Sequence, residues 1–242
     1  MIDRSRRSIE RVLNNLFGAD HTVHFEGPLL RGKGHANGKA IAILGTSGRA
    51  HIDASLALSL SRHVIDVMRE HPGRAILLIV ENCGQKLSLF DELMGNNGYI
   101  AHVSTCLDAA RRRGHKVIGL IHDIAISAGF MATGMATSEC YALEGAELRV
   151  MAREAMSRIT RIPLEQLDEL SKTNPILGPG ARNFERIGAI SGIWSGDLNK
   201  CLHDALAAPD VEDSRSARGA ERGGRLLAVR VARAVREGRR SL

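Results

Sequence analysis

The chain has 242 residues, enough for one sizeable domain, and its 44% hydrophobic and 25% charged residues are ordinary for a soluble globular protein. Aromatic residues make up only 3%, which argues against a nucleic-acid platform built on base stacking. Of the net charge of +6, the segment 214–242 carries nine Arg against two Glu, so the rest of the chain is nearly neutral. A basic tail therefore accounts for the high pI, and we predict no nucleic-acid partner.

The cysteines and the apolar runs bear on cellular location. Cys83, Cys106, Cys140 and Cys201 show neither a metal-knuckle spacing nor the pattern of a secreted disulfide scaffold, so we expect free thiols and no metal site. No stretch approaches the roughly 18 apolar residues of a membrane span. The N-terminal arginines are not followed by the apolar core of a signal peptide. We predict a cytoplasmic protein with no membrane contact.

The first 45 residues predict a helix followed by a hairpin. Residues 8–17 place apolar side chains at helical spacing on one face, and Gly18 is a suitable stop. Asn37-Gly38 lies between two extended runs and predicts a type I′ hairpin that pairs 23–35 with 39–44. Gly27-Pro28 interrupts the alternation, so we expect a bulge or bend there.

From residue 52 the chain alternates between helices and apolar runs of strand length. Asp53 is a suitable N-cap for the first of these helices. Helices are predicted over 54–69, 87–112, 127–137, 151–160, 163–172 and 195–207, and strands over 75–82, 116–122 and 140–145.

Alternating buried strands and helices indicate βαβ units and an α/β fold. An initial hairpin followed by repeated strand–helix steps resembles the crotonase-like (ClpP/crotonase) fold, a spiral of ββα units with C-terminal helices. We predict an N-terminal helix in residues 1–20 and the crotonase-like domain in 21–207. The remainder, 208–242, is predicted to be a polar linker as far as residue 224, followed by a basic C-terminal tail.

Two turns between a buried strand and a helix are the candidate sites. The first is Cys83-Gly84-Gln85 and the second is Ser127-Ala128-Gly129-Phe130. Small residues at these turns let a ligand oxygen approach the backbone N–H groups that a helix start leaves unpaired. Two such turns converging on one point form an oxyanion hole, which suits the enolate of a thioester.

Three segments carry a resemblance to a known family. LIVENCGQ, FDELMGNNGYIAHVSTCLDAARRRGHKVIGLI and ISAGFMATGMAT together look like the γ subunit of biotin-independent malonate decarboxylase, and the likeness extends over about 40–206. The chain departs from the expected pattern at Cys83, where we expect proline, and in the order Ser-Ala-Gly-Phe, where we expect Ser-Gly-Ala-Phe.

The resemblance implies a heterodimer with a β subunit that decarboxylates a malonyl group. That group is carried as a thioester on the prosthetic thiol of an acyl carrier protein, and no cofactor is bound directly. Carried over by position, Gly84, Gln85, Ala128 and Gly129 are the catalytic residues. The residues expected to contact the substrate are Cys83, Ser127 and Phe130.

Several alternatives stay open at this point. The proton donor to the enolate is His122, Glu81 or Gln85. A Clp-type peptidase would use Ser127, but a nucleophile needs a nearby base, and His203 is the only histidine after His122. A crotonase-type hydratase or isomerase would use the carboxylates of Asp91 and Glu92, which we interpret as a solvated helix face. A non-catalytic structural subunit is a further alternative, as is a biotin-dependent system.

The C-terminal third suggests two contacts with partners. Apolar residues in 183–206 are too numerous for a free surface, so we expect them to face the β subunit: Phe184, Ile187, Ile190, Ile193 and Trp194. The tail predicts a helix with a basic stripe formed by Arg222, Arg225, Arg233, Arg236 and Arg240. A solvated tail is one interpretation of this stripe, and docking of the acidic acyl carrier protein is the other.

Overall fold

The computed structural model of the chain describes residues 2–173, 178–209, 213–224 and 226–238. Its strands are β1 (His21–Glu26), β2 (Leu29–Ala36), β3 (Lys39–Thr46), β4 (Ala50–Ile52), β5 (Ile76–Gln85), β6 (Val117–Ile126), β7 (Glu139–Leu143), β8 (Glu147–Arg149) and β9 (Gly192–Trp194). Its α-helices are α1 (Ile2–Phe17), α2 (Ala54–Glu70), α3 (Leu89–Leu93), α4 (Asn96–Arg112), α5 (Ser127–Ala132), α6 (Arg153–Thr160), α7 (Leu164–Thr173), α8 (Ala181–Arg186), α9 (Leu198–Ala207), α10 (Arg215–Glu221) and α11 (Leu226–Arg236). None of the helices within these ranges is long and apolar enough to cross a membrane.

The strands form one mixed sheet in the order β1-β2-β3-β5-β6-β7-β9. The first two pairings are antiparallel and the others are parallel. Two short strands join the carboxyl halves of the central pair, β4 alongside β5 and β8 alongside β6. The two central strands therefore exchange neighbours partway along their length, and their carboxyl ends lie in a second, shorter ladder.

The central strands are buried on both faces, as their continuous apolar runs predict. Leu78 and Val80 of β5 pack on one face with α2 and α4. Leu77 and Ile79 pack on the other face with α1 and α9. The register of β5 on β6 shifts between Val80 and Asn82, so the side chains beyond this point leave the regular sheet.

The N-terminal hairpin is confirmed at Asn37-Gly38, where both residues have the positive φ of a type I′ turn, 54° and 69°. The expectation of one bent strand over 23–35 is wrong. Gly27-Pro28 forms a complete turn, with Gly27 at φ 58°, and it separates β1 from β2 as antiparallel neighbours. Proline cannot donate to a sheet ladder, so its place in a turn avoids a lost hydrogen bond.

Two predicted helices are each divided. The segment 87–112 breaks into α3 and α4 at Gly95, whose φ of 69° favours glycine and ends the first helix. The segment 127–137 ends as α5 at Ala132 and continues as a 3-10 helix at Gly134–Ala136. The Thr133 hydroxyl donates to the Gly129 carbonyl at 2.6 Å, an i−4 bond that often bends helices.

The C-terminal part packs on the domain more closely than expected. The proposed linker, 208–224, contains α10, and three arginines attach this segment to the body. Arg215 donates to the Met135 carbonyl. Arg218 pairs with Glu139 at 3.2 Å, and Arg222 donates to the carbonyls of Glu185 and Ser191 at 2.7 and 2.9 Å. The expectation that 183–206 exposes its apolar residues is also wrong, because Phe184, Ile190 and Trp194 are buried in this chain, while Ile187 and Ile193 are half-buried against its core.

Candidate functional site

The first turn lies at the carboxyl end of β5. Gly84 has a φ of 86°, a conformation that side-chain-bearing residues rarely adopt, and a Cβ there would lie 3.3 Å from the Ile126 carbonyl oxygen. Gln85 follows, and its side-chain amide donates to a carboxylate oxygen of Glu92 at 3.3 Å. Cys83 precedes it and is half-buried, and burial raises the pKa of its thiol. A protonated thiol is a poor nucleophile.

The second turn leaves β6 and enters α5 at Ser127, whose φ is also positive at 52°. Gly129 is buried, and a Cβ on it would lie 2.2 Å from Asn82 Oδ1 and 3.0 Å from the Gly84 Cα. These approaches leave no room for a side chain. The two predicted turns therefore lie directly against each other, and Gly129 and Gly84 are the residues that allow the contact.

Asn82 joins the two turns, and sequence reasoning missed it. Its side chain is fully buried. The carbonyl oxygen accepts the Gly84 N–H at 3.3 Å, and the amide nitrogen donates to Thr133 Oγ1 at 3.4 Å. Thr133 in turn bonds the Gly129 carbonyl. A lone asparagine at the end of the apolar run of β5 was the available signal, because a buried amide needs partners.

The other residues predicted for the second turn have different surroundings. Phe130 is 1% exposed and packs edge-to-face on Phe184, with ring centroids 5.6 Å apart. It anchors α5 in the core, so it offers no surface to a ligand. Ser127 and Ala128 are half-buried. No hydrogen bond joins Ser127 to a histidine in the described ranges, so the arrangement that a Ser127 nucleophile requires is not found there.

Two of the three candidate proton donors, Glu81 and His122, lie on the face of the sheet opposite the two turns. Glu81 accepts from Ser5 of α1 at 2.7 Å, and its carboxylate lies 3.0 Å from His122 Nδ1. His122 is also 3.1 Å from Ser8 Oγ. Both side chains thus face α1, whereas Gln85 stays at the turn.

The carboxylates considered for a hydratase do not form a solvated pair. Asp91 is 4% exposed, accepts the hydroxyl of Ser88, the N-cap of α3, and has Lys86 3.7 Å away. Glu92 is exposed and bonds Gln85. The interpretation of both as a solvated helix face is therefore wrong for Asp91, which holds the start of α3 in place.

Comparison with known proteins gives one family and several related structures. The model of a family described as malonate decarboxylase gamma subunit matches residues 48–239, which extends past the 40–206 of our resemblance and into the tail. A curated relative, the malonyl-S-ACP:biotin-protein carboxyltransferase MADD of Malonomonas rubra, is 29% identical over 174 residues. The match takes in 65% of this chain and 60% of the relative, so the chain spans less than two thirds of that protein's length.

The related structures establish the fold. A Pseudomonas malonate decarboxylase hetero-tetramer in complex with coenzyme A superposes with a TM-score of 0.76 at 22% identity, over 97% of this chain and 99% of the other. The Pseudomonas MdcD-MdcE hetero-dimer gives 0.73 at 22% identity, over 93% and 97%. The transcarboxylase 12S core gives 0.68 at 13% identity, over 85% of this chain and 43% of the other. The crotonase-like α/β fold is confirmed.

Proposed function

The chain belongs to the malonate decarboxylase gamma-subunit family, and we propose that it forms, with a β subunit, a malonyl-S-acyl-carrier-protein decarboxylase. The substrate is a malonyl group on the prosthetic thiol of the carrier, and the products are acetyl-S-carrier and CO2. We place the complex in the cytoplasm, whose reducing conditions suit the four free thiols.

The reaction needs a site that holds a developing negative charge. When the malonyl carboxylate leaves as CO2, its electron pair passes to the thioester carbonyl and forms an enolate, which then takes a proton on carbon. Fixed N–H donors at that oxygen lower the barrier, by about 3 kcal/mol for one donor in a well-studied oxyanion hole. The contact between the turns at Gly84 and Gly129 is the observation that supports this assignment.

The donors are assigned from the hydrogen bonds of the turns. The Gly84 N–H already donates to Asn82, so the next amide, that of Gln85, is the donor at the first turn. Ala128 and Gly129 supply the second. Gly84 contributes its backbone conformation rather than its N–H, and the Gln85 side chain is the proton donor candidate that remains at the turn.

An apolar surface beside the first turn supports a β partner. Leu87, Leu89, Phe90 and Leu93 are between 71% and 78% exposed, and Met94 is 48% exposed. Contiguous apolar side chains of this size mark interaction sites. We therefore propose that this surface, and not the apolar residues of 183–206, contacts the β subunit. Gln85 of the first turn bonds Glu92 of α3 at 3.3 Å, so a β subunit seated on this surface lies next to that turn.

The tail is the proposed contact with the acyl carrier protein. Of the predicted stripe, Arg222 is bound to the body, and Arg225 and Arg240 lie outside the described residues. Its other two members, Arg233 and Arg236, are exposed on helix α11, together with Arg230. We expect a chain ending at Gly224, which removes α11 but retains α10, to lose affinity for malonyl-S-carrier at low salt only. Equal kinetics of both chains at low salt would contradict this contact.

The test of the function compares the β subunit with and without this chain, measuring CO2 released from malonyl-S-carrier. We expect release to require both chains. Full activity of the β subunit alone would make this chain a structural subunit.

A transfer of the carboxyl group to a biotin protein is the second candidate function, favoured by the Malonomonas relative. A requirement for a biotinylated acceptor would select it.

A further inference from the structure

A second polar site lies on the face of the sheet opposite the two turns. Helix α1 lies over the carboxyl ends of β5 and β6 and lines one side of an open cavity of about 420 Å3. Such a volume suits a small-molecule ligand. Glu81 and His122, whose side chains are 1% and 6% exposed, lie at its base. The lining also includes Ser8, Arg4 and Arg11 from α1 and Arg49 after β3.

The hydrogen bonds of this cavity form a chain that leads from Glu81 through His122 to Ser8. The Glu81 carboxylate accepts the Arg49 N–H at 3.0 Å and the Ser5 hydroxyl at 2.7 Å. It lies 3.0 Å from His122 Nδ1, and a carboxylate fixes the imidazole tautomer with the proton on that nitrogen. His122 Nε2 is then an acceptor, and Ser8 Oγ lies 3.1 Å from it. The hydroxyl proton of Ser8 therefore points at a base that Glu81 orients.

We propose that Ser8 is the nucleophile of a second acyl-transfer site, with His122 as its general base and Glu81 as the residue that orients the base. The arrangement of nucleophile, base and orienting carboxylate is recognised by geometry and roles and not by order in the chain. This activity does not depend on the proposed decarboxylation, whose residues lie on the other face of the sheet.

The step is an ordinary acyl transfer. Ser8 Oγ attacks the carbonyl carbon of an ester or thioester while its proton passes to His122 Nε2. The bond to the leaving oxygen or sulfur breaks, and the leaving group takes that proton. Water then attacks the acyl-serine, gives its proton through His122 to Ser8, and releases the carboxylic acid.

The arginines define the class of substrate. Arg4 and Arg11 lie four residues before and three residues after Ser8, so all three share one face of α1 and line the same cavity. Arg49 is paired with Asp123 at 2.6 Å. Arg4 and Arg11 are thus the cations placed to bind a substrate carboxylate. The site therefore takes small acyl groups that carry a carboxylate.

The experiment uses the full chain in its β complex with the glutaryl thioester of N-acetylcysteamine. Glutaryl carries a carboxylate but cannot lose it as CO2 through a thioester enolate, so thiol release reports acyl transfer alone. We expect released N-acetylcysteamine and a glutaryl group on Ser8 by peptide mass mapping. Ser8→Ala should reduce thiol release to the uncatalysed rate, and it should fold, because alanine is the best helix former. His122→Gln should slow release at least about 100-fold.

Substrate charge gives a second, independent comparison. Arg4→Gln and Arg11→Gln should each slow release from the glutaryl thioester about tenfold and leave release from the acetyl thioester nearly unchanged. Arg7→Gln, on α1 but not part of the cavity lining, is the matched control and should behave as the wild type. Absence of any adduct on Ser8, or thiol release that persists in Ser8→Ala, would overturn the proposal. Neither result bears on CO2 release from malonyl-S-carrier, which tests the proposed decarboxylase.

Discussion

Glu81 and Asn82 are neighbours on β5, and both are completely buried polar side chains. Asn82 faces α5, where it bonds the Gly84 N–H and holds the two glycine turns together. Glu81 faces α1, where it gathers Ser5, His122 and the Arg49 N–H. Each of the two neighbours thus organises a separate cluster, one between the two turns and the other beneath α1.

The comparison shows how one strand end serves two sites. Successive side chains of a strand point to opposite faces, so two adjacent polar residues at the carboxyl end of β5 supply two separate polar clusters. Each cluster is costly unless its members bond one another, because a buried polar group without a partner loses about 1–3 kcal/mol. Damage on one face should therefore leave the other face intact.

The largest effect is expected from Gly129→Ala. The added Cβ would lie 2.2 Å from Asn82 Oδ1 and 3.0 Å from the Gly84 backbone, so the turns must separate. We expect a loss of about 3 kcal/mol in the free energy of unfolding and about a 100-fold loss of decarboxylation. Urea unfolding and CO2 release measure the two.

Gly98→Ala is the matched control for that change. Gly98 lies in α4, and a Cβ there meets nothing within 4 Å. Since alanine restricts the unfolded chain more than glycine does, we expect a gain of about 0.5–1 kcal/mol. If Gly98→Ala and Gly129→Ala lowered stability equally, close contact of the turns would not be the cause.

Glu81→Ala should disrupt the polar cluster beneath α1. It leaves the Ser5 hydroxyl, the Arg49 N–H and His122 without their shared carboxylate, so we expect a loss of about 2–3 kcal/mol in unfolding free energy. Hydrogen exchange should become faster in α1 and stay unchanged in α5. Equal loss of protection in both helices would show that the two faces are coupled.

Asn82→Ala should affect α5 and the two turns and leave α1 unchanged. The loss of its bonds to Gly84 and Thr133 is expected to cost about 2 kcal/mol and to lower decarboxylation about tenfold, because the turns lose their shared partner. The rate of amide hydrogen exchange should rise in α5 and not in α1. Decarboxylation at the wild-type rate, with an intact fold, would remove Asn82 from its positioning role.

Asp123→Asn should have the smallest effect. The Arg49–Asp123 pair has side chains that are 44% and 38% exposed, and exposed ion pairs contribute at most about 1 kcal/mol. We expect a loss below that value by urea unfolding. A loss as large as that of Glu81→Ala would show that the rim of the cavity, and not its buried base, holds α1 in place.

The sequence alone predicted the elements whose signals are local. The helical periodicity of 8–17, the Asn37-Gly38 hairpin, the Asp53 cap and the apolar runs of β5 and β6 each depend on residues close together in the chain. The two turns were located for the same reason, because a small residue after a buried strand is visible in the chain itself. The family was recognised from those same segments, and the family model confirms it.

Other features depend on which distant segments meet, and only the tertiary structure decided them. Strands β4, β8 and β9 have three residues each, too few for a periodic signal, and exist because β5, β6 and β7 offer them partners. The burial of Ile190 and Trp194, the docking of α10 and the role of Asn82 follow from contacts across the fold. Ser8 reaches His122 over a separation of 114 residues, and no local pattern encodes an encounter of that kind.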